Sequence, residues 1–186
     1  MTKLIRNTSL YTIGNIIPQA ASFILLPIYT RYITPADYGI IGAMQVLNGI
    51  LAIIFTLAVD RSVYRIYWDY QTEKERKDYL GAVVLLIFFI STIFMILIFI
   101  FHAYIGLMYK SIPFYPFYAY TILTVYFSLF ALVPKIYLQL HQKAGTFVVI
   151  SVLQFIFSVA FVLWFVVMME EGAVGMLKGQ MIGCGI

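Results

Sequence analysis

Apolar residues run almost without interruption through five stretches of the chain, residues 9–32, 38–59, 81–104, 114–133 and 146–169. Each reaches the about 20 residues that an α-helix needs to cross a hydrocarbon core. Strands that cross a bilayer are about 10 residues long and alternate in polarity, so these runs predict helices. A sixth apolar run opens at Ala173 and extends to Ile186. At about 1.5 Å per residue it reaches only about 21 Å, which predicts the start of a sixth helix. The first run follows Lys3 and Arg6 as a signal peptide would, but it is too long, carries Pro18 and Pro27, and lacks a small-x-small cleavage site. It reads as a retained helix. The predicted fold is all-α, a polytopic membrane helix bundle of five complete transmembrane helices plus the start of a sixth.

Polar residues inside these runs fall into stripes. The first helix carries Thr8, Thr12, Asn15, Gln19 and Ser22, whose spacing of 4, 3, 4 and 3 puts them on one face. The second carries Gln45 and Asn48, with Thr56 near the same stripe; the fourth Thr121, Thr124 and Ser128; the fifth Ser151, Gln154 and Ser158. The third has only Ser91 and Thr92, which makes it the candidate lipid-facing wall. Such stripes either hydrogen-bond across helix contacts or line a hydrated cavity. The Ser and Thr stripes of the fourth and fifth helices fit the first use better. The large amides of Asn15, Gln19, Gln45 and Asn48, near mid-span, fit either. Pro18 and Pro27 remove backbone donors and can bend the first helix. Gly175, Gly179 and Gly183, four apart, predict a close helix contact.

Composition agrees with this pattern. Of the 186 residues 63% are apolar and only 11% charged, against about 25% charged in a soluble domain. A soluble globule and a disordered chain are both excluded. The lone Cys184 excludes a disulfide framework and a cysteine metal cluster within the chain. A net charge of +4 without a clustered basic face gives no sign of a nucleic-acid partner. Lys and Arg set the orientation. With the N-terminus inside, the inner side holds Lys3, Arg6, Arg61, Arg65, Lys74, Arg76, Lys77, Lys135 and Lys143, whereas the outer side holds Arg31 and Lys110. The N-terminus and the 60–80 and 134–145 loops are expected in the cytoplasm.

The remaining charged and aromatic residues carry modest expectations. The DYQTEKERKD stretch from Asp69 to Asp78 reads as a solvated helix extension. His102, Trp68, Trp164 and the tyrosines near span ends read as interfacial packing. Arg31 and Asp37 flank a five-residue outer turn, and Asp60, Arg61 and Arg65 pair locally where the second helix leaves the membrane. The chain has no phosphate-binding glycine loop, HExxH, GxGxxG or nucleophile elbow. Hence no catalytic residue, metal or cofactor is expected, and the chain is not expected to be an enzyme.

Three segments are more specific. PIYTRYITPADYG, residues 27–39, resembles the turn between the first two helices of bacterial oligosaccharide flippases of the Wzx (O-antigen) type, with Pro27, Tyr29, Thr30, Arg31, Tyr32, Pro35, Tyr38 and Gly39 matching. Asn7, Thr8, Tyr11 and Gly14 resemble the family's N-terminal stretch, and DRSVYRIY from Asp60 to Tyr67 is similar to its segment after the second helix. The resemblance covers essentially the whole chain. It implies the multidrug/oligosaccharidyl-lipid/polysaccharide exporter superfamily, in which two bundles of six helices enclose a central cavity and rock to change access. It further implies the bacterial inner membrane, a polyprenyl-diphosphate-linked glycan as cargo beside the lipid bilayer, and other glycan-assembly membrane proteins as candidate partners. Export of polysaccharide precursors would use Asn15, Gln19, Gln45, Asn48, Arg31 and Arg65 as cavity residues. Pro18, Pro27, Gly39, Asp60 and the three late glycines would be structural.

The chain stops within the first bundle of that fold, residues 1–186 forming its N-terminal part with the second bundle absent. The expectation is an N-terminal fragment of a longer exporter, inactive alone. Two other readings stay open. A drug or cation antiporter of the same superfamily would want a buried mid-helix acid, whereas Asp37 and Asp60 lie at span ends. A non-transporting membrane scaffold subunit would use the polar stripes only as contacts between helices.

Overall fold

The computed structural model describes residues 2–103 and 112–185, and within the first helix it leaves the side chains of residues 2–8, 10, 13, 18, 21, 22 and 24 outside the description. Thr8, Ser22, Pro18 and Lys110 therefore lie outside the described side chains. Every regular element among the described residues is helical: α1 (Thr2–Tyr32), α2 (Pro35–Thr56), α3 (Val59–Ile66), α4 (Glu73–Ile100), α5 (Ala119–Leu140), α6 (Ala144–Leu163) and α7 (Gly172–Cys184). A π-helical turn, Phe114–Tyr118, leads into α5, and another, Trp164–Met168, follows α6. Among the described residues four helical segments, Pro35–Thr56, Glu73–Ile100, Phe114–Leu140 and Ala144–Met168, are long and apolar enough to cross a membrane. The chain is an all-α, multi-pass membrane helix protein.

Contacts divide the chain into two compact units. The first comprises Met1–Ala43 with Tyr137–Ile186, the second Met44–Ile136. In the first unit, α1 and α7 both pack on α6. Tyr11 of α1 meets the Phe147 ring edge-on at 5.2 Å, and its hydroxyl donates to the Leu138 carbonyl at 3.5 Å. The α6–α7 pair is an antiparallel hairpin that turns through Glu170 and Gly172, both in the left-handed region (φ 53° and 54°).

The start of α2 explains itself locally. Thr34 is its N-cap: the Thr34 hydroxyl oxygen accepts from the Asp37 backbone N–H at 3.2 Å and its hydrogen goes to the Asp37 carboxylate at 2.8 Å. Pro35 occupies the first helical position, where its missing N–H costs nothing. The turn is thus shorter than the five residues expected, because Thr34 caps the helix through Asp37 at its third position.

In the second unit, α2 stops at Thr56 rather than Val59. The Thr56 hydroxyl donates to the Ala52 carbonyl at 2.9 Å and accepts from the Ala58 N–H at 3.3 Å. Leu57 and Ala58 then take left-handed φ of 47° and 55°. Helix α4 begins inside the charged stretch, at a capping box between Thr72 and Glu75. It buries Val83, Ile87 and Ser91, one turn apart each, and exposes Leu85 (72%) and Phe89 (70%) on the other side. Apolar faces this open have no stable place in water, and a hydrocarbon core accommodates them. The face that is buried carries Thr92 beside it, whose hydroxyl lies 3.0 Å from the Tyr126 hydroxyl of α5. Phe88 and Phe130 complete that contact with ring centroids 4.7 Å apart.

Candidate functional site

Helix α1 has two unlike sides. Tyr11 and Gly14 lie toward α6: a Cβ at Gly14 would stand 3.1 Å from Val148 Cγ2. Thr12, Asn15 and Gln19 are exposed. Their spacing of three and four keeps them on one face, which adjoins the side that packs on α6. The amides of Asn15 and Gln19 are thus open on the surface of this unit. Arg31 is exposed in the last turn of α1, where a cation meets the negative end of the helix dipole. It lies twelve residues beyond Gln19, about 18 Å along the axis.

The other expected cavity residues belong to the second unit. Gln45 is exposed and Asn48 half-buried. Asn48 falls in the same helical stripe as Met44, Leu51 and Phe55, all of them buried, so its amide borders a packed face of α2. Arg65 is exposed in the last turn of α3, and Asp60 is half-buried in its first turn. Gly39 lies exposed on α2 with nothing within 4 Å of the place a Cβ would take. Pro27 offers its carbonyl to the Thr30 hydroxyl at 3.0 Å. Helix α1 continues through Pro27 to Tyr32.

Gly175, Gly179 and Gly183 face the backbone of α6. A Cβ at Gly175 would be 2.9 Å from the Phe165 carbonyl oxygen, and one at Gly179 would be 2.6 Å from Val162 Cα and N; at Gly183 it would collide with Ser158 Cα. Ser158, the last residue of the α6 stripe, therefore sits under a glycine, and Ser151 of the same stripe is buried. In α5 the Thr and Ser hydroxyls of the predicted stripe do something other than bridge helices. Thr121 donates to Phe117 (2.9 Å), Thr124 to Tyr120 (2.7 Å) and Ser128 to Val125 (2.6 Å), each a carbonyl one turn back in the same helical segment. The short side chain reaches its own helix first, which revises the expectation of bonds across a helix contact.

One charged feature was not legible as a candidate. Lys178, in the middle of α7, reaches back two turns to Glu171, with Nζ 3.1 and 3.3 Å from the carboxylate oxygens. The same ammonium sits 4.4 Å from the centre of the Phe165 ring. Both side chains are only about 30% exposed (30% and 29%). A lysine in an apolar helix is costly unless paired, and the glutamate seven residues earlier was the available signal. Asp37 lies beside the start of α7, its Oδ2 3.1 Å from where a Gly172 Cβ would be. Among the described residues no three His, Cys, Asp or Glu side chains gather as metal ligands would.

The described residues thus make a multi-pass helical membrane protein with two exposed amides on α1 and an ion pair along α7. Residues 4–184 match the family described as Polysaccharide biosynthesis protein, and the chain belongs to that family. Compared with curated proteins and with solved structures, the chain matches none.

Proposed function

We propose that the chain serves the export of polysaccharide precursors, as part of a flippase of the Wzx (O-antigen) type that moves a polyprenyl-diphosphate-linked oligosaccharide across the bacterial inner membrane by alternating access. The observation that carries this reading is the pair of exposed amides on one face of α1, Asn15 and Gln19, set beside the side that packs on α6. Facing hydrocarbon, those amides would have unmet hydrogen bonds; facing a hydrated cavity they can bind sugar hydroxyls. Family membership supplies the class of cargo. The lipid tail stays in the bilayer while the glycan crosses through the cavity, and the chain binds and moves its cargo without making or breaking a bond. The excess of Lys and Arg at the N-terminus and in the 60–80 and 134–145 segments supports an N-terminus in the cytoplasm.

The test uses the full-length protein in membranes, with Asn15→Leu and Gln19→Leu combined. Loss of two hydrogen-bonding groups, at about 1 kcal/mol each, lowers translocation of lipid-linked oligosaccharide about tenfold or more at normal membrane levels. Unchanged export of surface polysaccharide would overturn the cavity reading and leave the stripe a helix contact with a partner segment.

A further inference from the structure

Helix α3 sits between two segments long enough to span, α2 and α4, so the chain passes through it at a membrane face. Its sequence, VDRSVYRI, separates sharply by face. Val63 is fully buried and Tyr67, one turn on, is 5% exposed. On the opposite side stand Arg61 and Arg65, four apart, with Tyr64 and Trp68, also four apart; all four are exposed. Asp60 is half-buried at the edge of that face, and Asp69 is exposed beyond the helix end. Among the described residues no carboxylate pairs with Arg61 or Arg65.

The segment after α3 is held in place. Arg76, in the first turns of α4, donates from Nε to the Tyr70 carbonyl at 3.1 Å. Its guanidinium lies 5.5 Å from the Tyr67 ring centre and 5.1 Å from that of Trp68. Tyr67 and Trp68 meet edge to face at 5.3 Å. Trp68 is thereby fixed on the same side as the two free arginines while keeping 56% of its surface open. Arg76 is committed to these rings; Arg61 and Arg65 are not.

We propose that α3 is an interfacial docking element whose Arg61 and Arg65 bind the headgroups of anionic phospholipids, with Tyr64 and Trp68 seated at the headgroup boundary. Charge complementarity selects the occupant: basic side chains near a bilayer surface are drawn to anionic lipid, and Trp and Tyr rings settle at the same depth. This inference stands whether or not the chain moves glycans.

Trp68 is its own reporter. The chain has two tryptophans, so a Trp164→Phe background leaves Trp68 alone. The protein is reconstituted in nanodiscs holding equal amounts of phosphatidylglycerol and phosphatidylcholine, with one or the other brominated to quench nearby tryptophan. Brominated phosphatidylglycerol is expected to quench about twofold to fivefold more effectively, the enrichment that one or two basic residues produce at an anionic surface. Arg61→Gln with Arg65→Gln brings the ratio to about one, and the Lys pair at the same positions keeps most of it. Equal quenching by both lipids in the unmutated arginine background, or a preference that survives the double Gln change, would overturn the proposal. If the Gln pair does not reconstitute, high salt replaces it: a preference lost in high salt supports the proposal, and one that persists counts against it. Inorganic diphosphate at matched ionic strength separates the sources. A preference it leaves intact supports a lipid surface; one it abolishes assigns the face to a soluble or cargo diphosphate and overturns the proposal.

Discussion

Helix α6 is gripped from two sides, and the two grips differ in kind. On one side α7 brings three glycines against backbone, with places for a Cβ 2.6 Å from Val162 atoms at Gly179 and 2.9 Å from the Phe165 carbonyl at Gly175. On the other, α1 brings one glycine, Gly14, against the tip of a valine side chain at 3.1 Å, and one tyrosine ring against Phe147. Backbone cannot retreat, whereas a Val148 methyl can rotate. The α6–α7 hairpin is therefore the rigid half of this unit and α1 the adjustable half. The adjustable helix is also the one that presents Thr12, Asn15 and Gln19, so in a transporter the polar face rides on the element that is cheapest to move.

The comparison breaks most plainly at Gly179. Gly179→Ala gains helix propensity of up to about 1 kcal/mol, yet the added carbon must displace the Val162 backbone. Overpacking of this kind costs about 1–3 kcal/mol, and here no flexible side chain can absorb it. The expected result is a net loss of stability, read as a lower unfolding midpoint in detergent or bicelles. An unchanged midpoint would mean that the hairpin is no tighter than the α1 contact.

A smaller effect is expected from the ion pair along α7. Glu171→Gln leaves the Lys178 ammonium with only the Phe165 ring and costs about 1 kcal/mol, since a pair this open to solvent is partly screened. Lys178→Met should be nearly neutral: the carboxylate it leaves behind sits at the start of α7, where the helix dipole favours negative charge. Unfolding midpoints of the two variants, compared side by side, check the asymmetry. Equal losses would show that Lys178 contributes contact rather than charge.

What could be read in advance follows how far each signal reaches along the chain. A 4-residue repeat of glycine marks one face of α7 from sequence alone, because helix periodicity is local; that the face lies on Phe165, Val162 and Ser158 depends on the hairpin and leaves no mark in those residues. Asn15 and Gln19 share a face for the same periodic reason, and that the face is open depends on what packs against Tyr11 and Gly14. Asn48 shows the limit of counting polar residues, since it stands in register with buried Met44, Leu51 and Phe55. The threonine cap in TPAD was there to be found, and it moves the start of α2 to Pro35. The stop after Thr56 was not, because the left-handed pair is Leu57–Ala58, which carries no glycine or proline to announce it. The α5 hydroxyls were assigned across helices when their own carbonyls were nearer.

The finest division between the two grips lies at Gly14. Gly14→Ala places its methyl 3.1 Å from Val148 Cγ2 and 3.5 Å from both Phe147 Cε1 and Val148 Cα. The last two are ordinary van der Waals distances, so only the Val148 methyl has to move, by a few tenths of an ångström. A valine in a helix holds one χ1 rotamer strongly, which sets the penalty at about 0.5–1 kcal/mol for an off-rotamer shift. The gain in helix propensity from Gly to Ala is of the same size, about 0.8–1 kcal/mol. The two nearly cancel, and the unfolding midpoint should stay within the error of measurement while Gly179→Ala falls clearly below it. Combining Gly14→Ala with Val148→Ala sharpens the test: with the methyls gone the propensity gain is no longer opposed, and Gly14→Ala becomes stabilising relative to Val148→Ala alone. If Gly14→Ala is instead as damaging as Gly179→Ala, α1 is locked to α6 as firmly as α7 is, and the adjustable half of this unit does not exist.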